Sequence, residues 1–196
     1  MTFPYQEGGG MPTRSVLEQT FRVYFEEIDR CIQGKCYWAL LHVLLVLPDI
    51  CAAMETDNGE TNRSTYKNWC ERYLADDLVK PGDWYRMRCV ILHQGRTLDD
   101  QSQYSAFAFG QPSTCVVHRC VKEDSHGKVL QLDVGEMAKE VRRAMAKWFD
   151  TIETGEHPHL VENVVRNADA LVCSHDQPAM PIAVQMFVTS SPWPRS

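Results

Sequence analysis

The sequence lacks the short motifs that mark several large enzyme classes. Its 196 residues contain no P-loop, no dinucleotide-binding glycine fingerprint and no Gly-x-Ser-x-Gly elbow. Each of those motifs supplies one piece of chemistry: a phosphate cradle, a cofactor turn or an exposed serine nucleophile. Nucleotide hydrolysis, redox chemistry and serine hydrolysis therefore have no support from sequence motifs. The sequence also has no internal repeat of the kind that forms a solenoid.

An excess of positive charge is also missing. The chain has 20 Lys and Arg against 26 Asp and Glu, which gives a formal net charge of -6. A protein that coats nucleic acid needs many cationic contacts to phosphate, so this balance argues against such a role and leaves room only for a small basic site. The length is enough to bury one full hydrophobic core, and we expect a single domain.

Neither a secretory signal nor a long hydrophobic run is evident. Residues 1–13 have no basic segment followed by an apolar one and include three consecutive glycines, so we expect a flexible tail there. The most apolar run, Trp38 to Leu47, is about half the length that crosses a bilayer, and we interpret it as a buried helix. The expectation is a cytoplasmic protein with no membrane contact.

Eight cysteines in such a chain predict reduced thiols rather than a disulfide framework. Cys115, His118 and Cys120 have the composition of a zinc site. In a strand, however, Cys115 and Cys120 point to opposite faces, and no second ligand pair has suitable spacing. We therefore expect no metal and no cofactor.

Helical periodicity dominates the first half of the sequence. Capping residues and recurring apolar positions predict four helices: Ser15 to Ile32, Cys36 to Glu55, Ser64 to Leu78 and Trp84 to about His93. Pro48 is expected to bend or restart the second helix, with Asp49 as the restart cap. Pro81 should end the third helix and Gly95 the fourth. Four helices over so short a stretch favour an antiparallel bundle.

The pattern changes to alternation after the bundle. Stretches rich in Val and Phe, separated by turn signals, predict a small antiparallel sheet or hairpin. A capping box at Asp133 opens a long amphipathic helix that ends at Gly155, and a weaker helix follows from His159 to about Cys173. The predicted fold is mainly α. Its parts are a tail over residues 1–13, one helical domain over residues 14–173 with a β insertion at about 104–132, and a C-terminal arm over residues 174–196.

One short element carries an unusual concentration of polar cations. Arg86, Arg88 and His93 lie on the predicted fourth helix, and Gln94 and Arg96, which we take as candidate substrate contacts, come directly after it. A guanidinium binds phosphate oxygens through forked hydrogen bonds, and a histidine moves a proton near neutral pH. The group is therefore suited to a phosphodiester, and such a reaction requires no metal.

The stretch Tyr-Arg-Met-Arg-Cys-Val-Ile-Leu-His-Gln-Gly, residues 85–95, resembles the signature of the HEPN family. That signature is an arginine, four to six residues and then a histidine on a late bundle helix. The resemblance implies a bundle that forms a homodimer and, in active members, a metal-independent endoribonuclease. It makes His93 the general base and Arg88, with Arg86, the phosphate clamp. Other members are binding modules, so RNA and a cognate protein partner are both implied.

Two arginines satisfy the spacing, Arg88 with four residues before His93 and Arg86 with six. At about 100° per residue in an α-helix, Arg86 lies about 20° from His93 around the axis and Arg88 about 140°. Helix geometry favours Arg86 and the family pattern favours Arg88, so both remain candidates. The competing hypothesis is a non-catalytic helical module that dimerises or binds a partner, with both arginines in structural ion pairs. Cys89, where the family commonly has a polar residue, and the negative net charge favour that alternative.

An aromatic stripe at helical spacing lies on the predicted third helix: Tyr66, Trp69 and Tyr73. Spacing of this kind is usual for a core. Arg63 and Lys67 flank the stripe, and we expect them on a solvated face, with an extension of a phosphate path as the other interpretation.

Overall fold

The computed structural model describes residues 14–99, 101–112, 117–125 and 127–168. Within these residues the chain is mainly helical, as predicted, with one small sheet. The helices are α1 (Arg14–Thr20), α2 (Arg22–Gln33), α3 (Tyr37–Met54), α4 (Arg63–Tyr73), α5 (Pro81–Arg88), α6 (Val134–Thr154) and α7 (Pro158–Ala168). A π-helical turn spans Cys89–His93, and the strands are β1 (Ala106–Gly110), β2 (Cys120–Asp124) and β3 (Gly127–Asp133). The predicted tail and C-terminal arm lie outside the described residues.

Helix α3 lies at the centre of the fold and contacts α2, α4, α5, α6 and α7. Five of its leucines have no exposed surface: Leu40, Leu41, Leu44, Leu45 and Leu47. Burying one leucine side chain contributes about 1.5–3 kcal/mol, so α3 supplies much of the core. Of the two outcomes expected at Pro48, a bend or a restart, the restart is wrong, because the helix continues without interruption to Met54. By length and composition α3 also meets the criteria for a membrane span, and half of it is buried inside the protein.

The predicted first helix is in fact two helices, because the helical backbone is interrupted at Phe21, between α1 and α2. Phe21 is fully buried, and its ring centroid lies 5.5 Å from that of Trp148 and 5.6 Å from that of Phe149. Helix α1 packs on α6, whereas α2 packs on α3. The interruption at Phe21 therefore redirects the chain from α6, on which α1 packs, to α3, on which α2 packs. The apolar periodicity of the sequence does not reveal this interruption.

The boundaries of α4 and α5 differ from the predicted ones. Asn62, not Ser64, caps α4: its side-chain oxygen accepts hydrogen bonds from the N–H groups of Ser64 at 2.8 Å and Thr65 at 3.1 Å. Helix α4 ends at Tyr73. Pro81 begins α5, at a position where an N–H has no partner within the helix. The proline thus starts the helix that carries the candidate site instead of ending the previous one.

The three strands form one mixed sheet in the order β1-β3-β2. β2 and β3 pair antiparallel, whereas β1 pairs with β3 in parallel, so the prediction of a purely antiparallel sheet is wrong. Alternation along a strand shows which face is buried and carries no information on the direction of its neighbour. β3 passes directly into α6, which begins after its N-cap Asp133 and ends at Gly155 as predicted. The Asp133 carboxylate accepts a hydrogen bond from the Glu136 N–H at 2.9 Å.

Candidate functional site

Helix α5 loses its α-helical geometry after Arg88, where the π-helical turn begins. In a π-helix the backbone hydrogen bonds join residues five apart, so side chains five apart lie near the same face. Arg88 and His93 are five apart, and Nη1 of Arg88 lies 3.5 Å from Nε2 of His93. The structure therefore brings His93 together with Arg88. The α-helical angle that favoured Arg86 does not apply to this turn.

Gly95 ends the turn in the left-handed backbone region, with φ at +59°. Replacing Gly95 by alanine should destabilise the protein by about 1–2 kcal/mol, because a Cβ atom is disfavoured in that region. Gly82 is the matched control: a Cβ at either glycine meets no atom within 4 Å, but Gly82 lies in α5 without a positive φ. Gly82→Ala should stabilise by about 0.5 kcal/mol. Urea unfolding measures both, and equal effects would contradict the backbone assigned to Gly95.

A carboxylate on α3, that of Asp49, holds the Arg88 side chain in place. Nη2 of Arg88 donates a hydrogen bond to Oδ2 of Asp49 at 2.6 Å, and Oδ1 of Asp49 accepts a second one from the Thr61 hydroxyl at 2.8 Å. The Arg88 guanidinium also lies over the Tyr66 ring, 5.7 Å from its centroid. Asp49 lies inside a continuous helix, so its predicted role as a restart cap is wrong. The sequence did contain a sign that Asp49 pairs with a cation, since it is the one carboxylate in a largely apolar helix.

The guanidinium of Arg88 keeps donors available. Its side chain is 19% exposed, and its buried Nε has no hydrogen-bond partner among the described residues. Burial opposes the charge, but the hydrogen bond and negative charge of Asp49 outweigh that effect and raise the pKa of Arg88 above its usual value. Because a guanidinium has no lone pair to offer, His93 Nε2 is the acceptor in their contact. Arg88 therefore stays a fixed cation whose Nη1 donates to the Nε2 lone pair of His93.

His93 and the two residues predicted to bind substrate are on the surface. His93, Gln94 and Arg96 are all exposed. Within the described residues, no hydrogen bond or ion pair from the side chain of Gln94 or Arg96 is present. The side chains that would meet a ligand are thus open to solvent, whereas Arg88 is fixed by its hydrogen bond to Asp49.

Arg86 has a different environment from Arg88. Its Nε lies 2.9 Å and 3.1 Å from the two carboxylate oxygens of Asp99, and its Nη2 lies 2.5 Å from Oδ1. The Asp99 side chain is completely buried and that of Arg86 is 14% exposed. Leu98, the preceding residue, bridges to Ala106 at the start of β1. Arg86 therefore fastens α5 to the sheet, and the structure does not bring it to His93.

His118, which belongs to the group that the sequence analysis rejected as a zinc site, is bound within the fold. Nδ1 of His118 accepts a hydrogen bond from the Asp133 N–H at 3.1 Å, and its Nε2 lies 3.1 Å from Oε1 of Glu140. These bonds join the approach to β2 with α6. Cys115 lies outside the described residues, and in the part of the chain that the structure describes no three potential ligands group together.

Comparisons of the chain with known protein families, with curated proteins and with solved structures find no match. Any functional assignment therefore depends on the motif and on the geometry of its residues.

Proposed function

We propose that this chain is a HEPN-like metal-independent endoribonuclease that acts where Arg88 and His93 meet. One observation carries the proposal: the π-helical turn holds the Arg88 guanidinium 3.5 Å from the exposed imidazole of His93. A π-helical turn is rare and often lies at a functional site. An ordinary α-helix would have served as well for packing alone.

In the proposed reaction the bound phosphate takes over the Nη1 donor of Arg88, and the Nε2 lone pair of His93, released from that contact, takes the proton from a ribose 2′-hydroxyl. The 2′-oxygen attacks the adjacent phosphorus, and the bond from phosphorus to the 5′-oxygen breaks. The leaving 5′-oxygen takes a proton from water, and the resulting hydroxide takes the proton held by His93, so the products are a 2′,3′-cyclic phosphate and a 5′-hydroxyl and the imidazole is regenerated. The free donors of Arg88 bind the non-bridging phosphate oxygens, whose negative charge increases in the transition state.

Asp49 has a positioning role in this proposal. Its bond to Nη2 fixes the guanidinium and leaves Nη1, which lies beside His93, to donate to a ligand. Thr61 in turn fixes Asp49. A guanidinium held in this way loses little side-chain entropy when it binds phosphate.

We also propose a homodimer, as the family resemblance implies. A single His93 contacts one side of a phosphodiester, and its exposure leaves it accessible to a second copy. Sedimentation of the purified chain tests this proposal, and a monomer at micromolar concentration contradicts it.

The test is cleavage of a varied panel of single-stranded RNAs in the presence of EDTA. The wild-type protein should leave cyclic phosphate ends, and His93→Ala should abolish cleavage while keeping the helical circular dichroism. His159→Gln is the control, because His159 is a surface histidine far along the chain on α7. Equal trace activity in the wild type and His93→Ala would end the ribonuclease proposal.

The second candidate is a non-catalytic module that dimerises or binds a cognate protein. The ion pairs favour it, since Arg86 pairs with Asp99 and Arg88 pairs with Asp49. It predicts a stable partner complex that His93→Ala leaves intact, and no RNA cleavage.

A further inference from the structure

An open groove of about 440 Å³ lies at the start of α4. Its lining residues are Asn62, Arg63, Ser64, Lys67 and Asn68. All five are polar, two are cationic and none is acidic. The side-chain oxygen of Asn62 caps the helix, which leaves its amide nitrogen available as a donor. Donor groups and two positive charges therefore border the groove, whose inner surface is formed mainly by the carbon atoms of these residues.

The two cations of the groove, Arg63 and Lys67, have no acidic partner among the described residues. In the part of the chain that the structure describes, neither Arg63 nor Lys67 has a carboxylate within ion-pair distance. Arg72, one turn further along the chain, pairs with Glu55. In a chain of net charge -6, two unpaired cations in a concave surface make a local anion-attracting site.

An aromatic pair connects the groove with the Arg88–His93 site. The Arg63 guanidinium lies 5.5 Å from the centroid of the Tyr85 ring, and Tyr85 packs edge-on against Tyr66 with centroids 5.8 Å apart. Arg88 lies over the same Tyr66 ring at 5.7 Å. The groove and the site thus share one aromatic support, and three successive contacts of 5.5–5.8 Å lead from Arg63 to Arg88. A few nucleotides of an extended strand span such a path.

We propose that this groove binds the single-stranded RNA next to the cleaved bond, with Arg63 and Lys67 on backbone phosphates. The asparagine amides and the Ser64 hydroxyl then contact riboses or base edges. The inference rests on the proposed ribonuclease function and adds its substrate class: the preferred substrate is an oligonucleotide and not a dinucleotide.

The experiment compares Arg63→Gln/Lys67→Gln with Arg143→Gln/Lys147→Gln. The second variant removes the same charges at the same spacing from an exposed part of α6. The probe for binding is a labelled 2′-O-methyl 12-nucleotide strand, which lacks the attacking hydroxyl. Loss of two phosphate contacts should weaken binding about tenfold at low salt and reduce the slope of log Kd against log salt by about 1.4. The α6 variant should bind within about twofold of the wild type, because its cations are outside the groove.

Cleavage assays separate the two proposals. The groove variant should have a raised KM for a 12-nucleotide RNA and an unchanged rate on a dinucleotide. If RNA is cleaved and both variants bind alike, the groove proposal fails and the ribonuclease remains. If nothing is cleaved but the groove variant alone loses binding, the groove is supported and the ribonuclease fails. If the wild type neither binds nor cleaves, or binds polyglutamate as tightly as RNA, the groove proposal is overturned.

Discussion

Replacing Asp99 by alanine should lower the free energy of unfolding by about 3–5 kcal/mol, because the change removes the buried carboxylate that faces the largely buried charge of Arg86. The expectation follows from the contact itself, in which two guanidinium nitrogens meet a carboxylate that has no exposed surface. Urea unfolding followed by circular dichroism measures the loss. Arg86→Ala should also lower the free energy of unfolding. Any loss of RNA cleavage in that variant should therefore be proportional to the loss of folded protein.

Two further variants test the cause of that loss. Asp99→Leu combined with Arg86→Met removes both charges together and should recover most of the stability. Asp49→Ala breaks the corresponding pair of Arg88 and should cost only about 1–2 kcal/mol, since water still reaches both partners. Equal losses for Asp99→Ala and Asp49→Ala would mean that Arg88 is as structural as Arg86, and they would favour the non-catalytic module.

The second large effect concerns turnover of RNA. His93→Ala should lower the single-turnover rate by about 10²–10⁴-fold, because it removes the proton acceptor. Arg88→Ala should lower it by about 10²–10³-fold, because it removes the donors that bind the charged transition state. The rate of the double variant should fall by much less than the product of the two single decreases, because residues that act together in one step are not additive. A loss equal to the product would show that the two side chains act independently, contrary to the geometry.

Arg88→Lys separates charge from shape in the same assay. Lysine keeps the positive charge but lacks the planar fork that binds Asp49 on one side and a phosphate on the other. It should recover only a small part of the rate lost in Arg88→Ala. Full recovery would indicate that a point charge is sufficient and that Asp49 has no positioning role.

The helices of this protein were largely predictable because burial imposes a regular apolar spacing. Helix α6 shows this best, since its capping residue, apolar face and terminal glycine all lie within one local stretch. The break at Phe21 was not predictable in the same way. It depends on packing against Trp148 and Phe149, more than a hundred residues away in sequence. The parallel pairing of β1 with β3 escaped prediction for a related reason, because pairing direction is a tertiary property.

The candidate site was predictable in its members and not in its arrangement. The motif selected the candidate residues, but two arginines satisfied its spacing, and the angle of a regular helix favoured Arg86, whereas the structure places Arg88 beside His93. The choice depended on a local change of backbone geometry after Arg88, which has no reliable sequence signal. Asp49 was assigned a local role because sequence shows its neighbours in the chain and not its neighbour across the fold.

The π-helical turn also has a consequence for how the motif spacing should be understood. Val90 and Ile91 remain fully packed inside the turn, so the core side of the helix is undisturbed. The additional residue that a wider turn contains is accommodated on the solvent side. A helical wheel drawn with a uniform angle would place Arg88 and His93 far apart, although the molecule places them in contact. The four-residue interval between Arg88 and His93 therefore coincides with a local irregularity of the backbone, which brings the two side chains together while Val90 and Ile91 stay in the core.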